Sequence, residues 1–186
     1  AGFILLGAVI YLNSFTNEFH YDDGHHITGN PNIRGIRNIP QFFTDLTAFS
    51  GLKGGRGGMY RPLLLTTYAV NWSLSDYNVV SYRLVNLFFH IGTAFLIYLI
   101  IGLIIGLSVG LSVRSMTGHT PAPVQQRKDY VTWELPAALA AGLIFLVHPF
   151  NSEVVNYISA RSSVMSTFPW ASGRSSAAGW RPPQPC

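Results

Sequence analysis

Long apolar runs broken by short polar interruptions dominate this chain, and one of them sets the scale. Between Arg83 and Arg114, the segment Leu84–Val113 holds no Asp, Glu, Lys or Arg over its 30 residues. At about 1.5 Å per residue such a helix outreaches the roughly 30 Å hydrocarbon core of a bilayer, so it predicts a span with tilt or a helical extension. Gly102, Gly106 and Gly110 recur along it every four residues and predict a face where another helix packs closely. A second run, Leu135–Phe150, predicts another span. Pro136 suits a first helical turn, Tyr130 and Trp133 precede it as interfacial aromatics, and Pro149 ends it. The opening AGFILLGAVIYL offers 12 apolar residues before Asn13, fewer than the about 20 a span needs. It therefore predicts the end of a span that begins upstream.

The stretch Arg61–Leu74, RPLLLTTYAVNWSL, is apolar but only 14 residues long and contains Thr66, Thr67 and Asn71. It predicts a helix lying in or against the membrane interface. Ahead of it, Ile33, Ile36 and Ile39, then Phe42, Phe43 and Leu46, predict short amphipathic pieces on the membrane surface. The segment SGLKGGRGGMYRP reads as a tether, because its glycines lack the strand before and helix after that a phosphate loop requires. The order expected is a truncated span over 1–15, an outer loop with interfacial helices over 16–79, and a span over 80–113. A cytoplasmic loop over 114–133, a span over 134–150, the start of a further membrane helix over 151–168 and a disordered or off-frame tail over 169–186 follow. That tail is rich in Pro, Gly and Ser and poor in groups that could dock.

Composition agrees with a membrane protein: 48% of residues are hydrophobic and 11% charged, against the about 25% charged that is usual in soluble domains. The net charge of +4 is scattered and gives no footprint for nucleic acid. A single cysteine, Cys186, excludes an internal disulfide. The positive-inside rule places Arg114, Arg127 and Lys128 of the short loop on the cytoplasmic side. If Arg61–Leu74 does not cross, the polar groups after the first and third spans then share the opposite side.

Those polar groups are the candidate chemistry. NEFHYDDGHHITGNPNI places Asp22 and Asp23 directly after the first span, where a carboxylate could serve as a general base and where Asp before Gly could equally form a turn. His25 and His26 follow, but adjacent side chains on an extended chain point to opposite sides, so no metal is expected there. A divalent cation at Asp22 and Asp23 is the alternative. His148, Glu153 and Arg161 form a second cluster. On one continuous helix Glu153 and Arg161 would share a face, and Arg161 could pair with a phosphate bidentately. His90, inside the longest run, predicts a structural hydrogen bond to a neighbouring helix.

YLNSFTNEFHYDDGHHITGNPNI, YRPLLLTTYAVNWSL, SYRLVNLFFH and LAAGLIFLVHPFNSEVVNYISARSSVMSTF occur in that order. Together they resemble the N-terminal membrane part of the tetratricopeptide-repeat-bearing O-mannosyltransferase family and its bacterial relatives, over roughly Ile10 to Phe168. Arg83 departs from the pattern, where relatives often carry His. The resemblance implies an all-α, polytopic integral membrane protein with the C-type glycosyltransferase fold, of which this chain is a truncated piece, inactive alone. It implies transfer of a sugar, mannose above all, from a polyprenyl- or dolichyl-phosphate donor to a protein Ser or Thr hydroxyl. The lipid bilayer and a protein acceptor are the other partners, and the repeats lie in the missing part. Asp22 and Asp23 would be catalytic, and Arg61, His148, Glu153 and Arg161 would bind substrate. The active face would be periplasmic in a bacterial inner membrane, to which the loop motifs read closer, or lumenal in the endoplasmic reticulum. The rival reading is a non-enzymatic membrane assembly or transport module, with the glycine face as its working part.

Overall fold

The computed structural model describes residues 2–49, 60–117 and 124–165. The tail expected to be disordered, most of the glycine tether and the Gly110 end of the glycine series lie outside the described residues and side chains. The described residues form helices and turns only: α1 Gly2–Ile10, α2 Ile39–Phe42, α3 Pro62–Ser75, α4 Val79–Thr117, α5 Val124–Val147, α6 Glu153–Asn156 and α7 Arg161–Met165, with short tight turns between them. The chain divides into two compact units, Ala1–Glu18 with Val79–Ile158, and Phe19–Asn78 with Ser159–Cys186.

The first unit packs α1, α4 and α5 against one another. Residues Val79–Ser108 of α4 form the one described helix long and apolar enough by itself to cross a membrane. Leu135–Val147 and Pro149–Asn156 reach that standard together, bent by 56° at the break. Leu99, Ile100, Leu103, Ile104 and Leu107 on α4 are exposed, as side chains facing lipid would be. Inside, Tyr11, Leu87 and Val155 are buried with Phe15 and Ile91 packed on them.

Polar groups stitch this apolar unit together. The Tyr11 hydroxyl donates to the Leu146 carbonyl at 3.1 Å and meets His90 Nε2 at 3.2 Å, so His90 does make the structural hydrogen bond its position predicts. Asn86 donates to the carbonyls of Val154 at 2.8 Å and Ile158 at 3.2 Å, tying α4 to the segment after α5. Arg83 is fully buried, and its guanidinium donates to the carbonyls of Ser14 and, at 2.7 Å, Glu18. A buried cation is costly unless hydrogen-bonded, and these carbonyls offset part of that cost where the chain leaves the turn Leu12–Thr16.

Three sequence expectations change. Pro136 lies inside α5 rather than in its first turn, because the good helix formers before it start the helix at Val124. Glu153 and Arg161 do not share a helix face: Tyr157 is extended between α6 and the turn Ile158–Ala160, and the two residues fall in different units. The tightest helix contact among the described glycines lies outside the predicted series. A Cβ on Gly102 would meet the Ala138 Cβ at an ordinary 3.7 Å, whereas one on Gly142 would stand 2.8 Å from the Ala94 carbonyl oxygen and 2.9 Å from the Phe3 ring.

In the second unit α3 buries Leu64, Leu65, Tyr68 and Ala69 and packs on α2 and on the turns Pro31–Ile33 and Ile36–Asn38. Ile33 and Phe42, expected on the membrane surface, are buried within this unit, while Ile36 and Phe43 are exposed. The Asn30 side chain is buried, donating to the carbonyls of Ala48 at 3.1 Å and Phe49 at 3.3 Å and accepting from the Asn32 N–H at 3.0 Å.

The glycine comparison gives a direct test. Gly142→Ala should destabilise the protein by about 1–3 kcal/mol, the usual cost of forcing atoms into a packed contact, because a backbone carbonyl cannot rotate away. Gly102→Ala should be neutral or slightly stabilising through helix propensity. Thermal unfolding of the two variants in detergent checks the contrast, and equal midpoints would refute this packing.

Candidate active site around Asp22 and Asp23

The DD pair is built from the turn outward. Tyr21 has a φ of 47°, a left-handed conformation that costs an aromatic residue about 1–3 kcal/mol. The chain reverses there. Asp22's carbonyl then accepts from the N–H groups of both His25 (3.2 Å) and His26 (3.0 Å), and a single π-turn runs over Gly24–Thr28. The Gly29 N–H closes that turn on the Gly24 carbonyl at 2.7 Å. At its far end the Thr28 carbonyl accepts from Arg34 Nη2 at 3.0 Å and from the Tyr77 hydroxyl at 3.2 Å. Arg34 also lies over the rings of Trp72 and Tyr77, so the turn is moored to the end of α3.

This geometry separates the two aspartates. Asp23 is completely buried. Its carboxylate accepts from the Ser159 N–H at 2.8 Å, from the Ser159 hydroxyl, and from the His20 N–H at 3.2 Å. Asp22 is the outward member: its side chain is 57% exposed and stands 4.0 Å from His25 Nε2.

The histidines correct the sequence reading. They lie on a helical turn, not on an extended chain, and their ring centroids are 4.1 Å apart. One ligand atom from each of Asp22, His25 and His26 falls in a group whose members all lie within 4.8 Å of one another. His26 packs on Phe49 with ring centroids 4.5 Å apart, and the Arg61 guanidinium lies 5.8 Å from the same ring. Burial, and then the neighbouring His25, push the His26 pKa down; Asp22 and Asp23 oppose this, and Arg61 adds to it.

The other expected substrate-binding residues are distributed differently. Arg161 is buried in the second unit, donating to Thr67 Oγ1 at 3.0 Å and Asn71 Oδ1 at 2.9 Å with its guanidinium over Tyr68. It clamps α7 to α3. His148 and Glu153 are exposed and belong to the first unit, where His148 Nδ1 accepts the Phe150 N–H at 3.2 Å and so caps the turn Pro149–Ser152. Ser159 had no signal in the sequence, because a hydrogen bond between residues 136 apart leaves no local pattern.

No protein-family profile matches the chain, and no solved structure matches it. Curated proteins do. The protein O-mannosyl-transferase Tmtc1 of Drosophila melanogaster is 26% identical over 89% of this chain and 16% of its own length. The protein O-mannosyl-transferase F38B6.6 of Caenorhabditis elegans is 24% identical over 88% of the chain and 20% of its own length. The protein O-mannosyl-transferase TMTC2 of Mus musculus is 26% identical over 86% and 16%. The chain thus spans a fifth or less of the length of these relatives. Over nearly all of its own length, it is a relative of the protein O-mannosyl-transferases.

Proposed function

We propose that this chain supplies the first membrane part and the general base of a polytopic transferase that moves mannose from a polyprenyl or dolichyl phosphate to a protein Ser or Thr hydroxyl. The observation that carries the proposal is the division of the DD pair. Asp23 is consumed in fixing the loop, while Asp22 is presented outward from a turn held at both ends. The names of the relatives, protein O-mannosyl-transferases, suggest the reaction class.

In this reaction Asp22 takes the proton from the acceptor hydroxyl as its oxygen bonds to the sugar's anomeric carbon. The bond from that carbon to the donor phosphate breaks, and the phosphate leaves with the electron pair. Arg61, which lies against the same Phe49 ring as His26, would meet the phosphate and offset the charge that develops on it. Arg161 holds α3 and α7 together. His148 and Glu153 belong to the other unit and are given no part in this step.

Two outcomes are expected. In the full-length enzyme, Asp22→Asn should lower turnover by about 10²–10⁴-fold, the usual contribution of a positioned base, with the unfolding midpoint unchanged. Asp23→Asn replaces one acceptor oxygen by an NH2 group, so one of its three N–H or O–H donors loses its partner. It should cost about 1–3 kcal/mol of stability and reduce activity mainly through the folded fraction. Sugar transfer from a polyprenyl-phosphate donor to a Ser/Thr peptide, measured beside thermal unfolding, separates the two effects. Wild-type turnover in Asp22→Asn would sink the base assignment.

For the topology, single cysteines at Gly24, Gln126 and Ser152 in a protein lacking Cys186 are treated with an impermeant thiol reagent. Positions 24 and 152 should label from one side and 126 from the other. Labelling of 24 and 152 from opposite sides would mean that α3 crosses.

A further inference from the structure

The loop carries a second arrangement that the base assignment does not use. Asp22, His25 and His26 stand at i, i+3 and i+4 of one turn, a spacing that puts three side chains on one side of a helical backbone. Their ligand atoms converge to within 4.8 Å of one another. The turn is held for this by the Asp22 carbonyl, which accepts from both histidine N–H groups, and by the Phe49 ring against His26.

We propose that Asp22, His25 and His26 form a three-ligand site for a first-row divalent cation of the zinc class, with its remaining positions open to a phosphate. Two imidazoles and one carboxylate suit zinc and its first-row neighbours and not magnesium or calcium, which take oxygen ligands. Bonds of about 2.0–2.1 Å to such an ion require the three side chains to close in by rotamer adjustment. Asp22 and His25 are partly exposed and have room to do so. That exposure also leaves one face of the ion open, the mark of a site that binds a ligand rather than a closed structural one. Arg61 beside the cluster adds a second positive group toward the same anion.

The ion's binding stands on this geometry alone; its role rests on the transferase reading. There it would hold the donor's phosphate while Asp22 ligates through one carboxylate oxygen and keeps the other for the acceptor proton. The ion makes that carboxylate a weaker base, and neutralising the departing phosphate offsets the loss.

The experiment is a Co²⁺ titration of chelator-stripped full-length protein in detergent, read by visible d–d absorption, with Zn²⁺ and Mg²⁺ as competitors. The expected result is a saturable band that Zn²⁺ displaces and Mg²⁺ does not. It should be lost in Asp22→Asn, His25→Ala and His26→Ala and kept in His20→Ala. If the metal-free circular dichroism of an alanine variant departs from wild type, His25→Gln or His26→Gln replaces it. No band in the wild-type protein, or a band that survives both histidine variants, overturns the site. Sugar transfer is measured on the same samples. A band without any transfer upholds the ion and sinks the transferase role, and transfer at full rate in stripped protein without a band does the reverse.

Discussion

One buried carboxylate governs the geometry of the candidate site. Asp23 lies out of water, where a carboxylate is tolerated only if its oxygens are hydrogen-bonded. The Ser159 N–H, the Ser159 hydroxyl and the His20 N–H meet that demand, so the loop after the first helix is fastened to a residue 136 positions away. With Asp23 fixed inward, its neighbour cannot follow it. Asp22 is turned toward solvent, and the DD pair becomes two residues in separate surroundings.

The surroundings keep that division from relaxing. Tyr21 accepts a left-handed backbone just before the pair, a strain that persists only when its surroundings enforce it. The π-turn after the pair is closed by Gly29 and anchored at Thr28 by Arg34 and Tyr77. Arg161 joins α3, against which that anchor rests, to α7 just beyond Ser159. In the first unit the same economy recurs, with Asn86 and Arg83 satisfying backbone carbonyls where helices end. These described polar side chains complete the backbone's hydrogen bonding where it would otherwise be buried without a partner.

Much of this was legible from local pattern. The uninterrupted apolar run Leu84–Val113 foretold α4, and RPLLLTTYAVNWSL foretold α3, because both signals are contained within the elements they describe. The DD pair stood out by its place after the first apolar segment, but nothing local told which of the two would be buried. What escaped was set by contacts between distant residues. Ser159 is an ordinary serine in sequence, Gly142 lies outside the four-residue glycine series, and Arg161 reads as a phosphate ligand until its bonds to Thr67 and Asn71 are seen. For the histidine pair only the premise of an extended chain fails: a π-turn brings the rings together, and no local pattern announces that turn.

Carboxyl-specific labelling tests the division of the pair most directly. The purified protein is treated with a carbodiimide and an amine under native conditions, and modification at each aspartate is read by tandem mass spectrometry. Asp22, exposed, should label readily, while Asp23, fully buried, should label only after unfolding. Equal native labelling of both residues, or faster labelling of Asp23, would contradict the account.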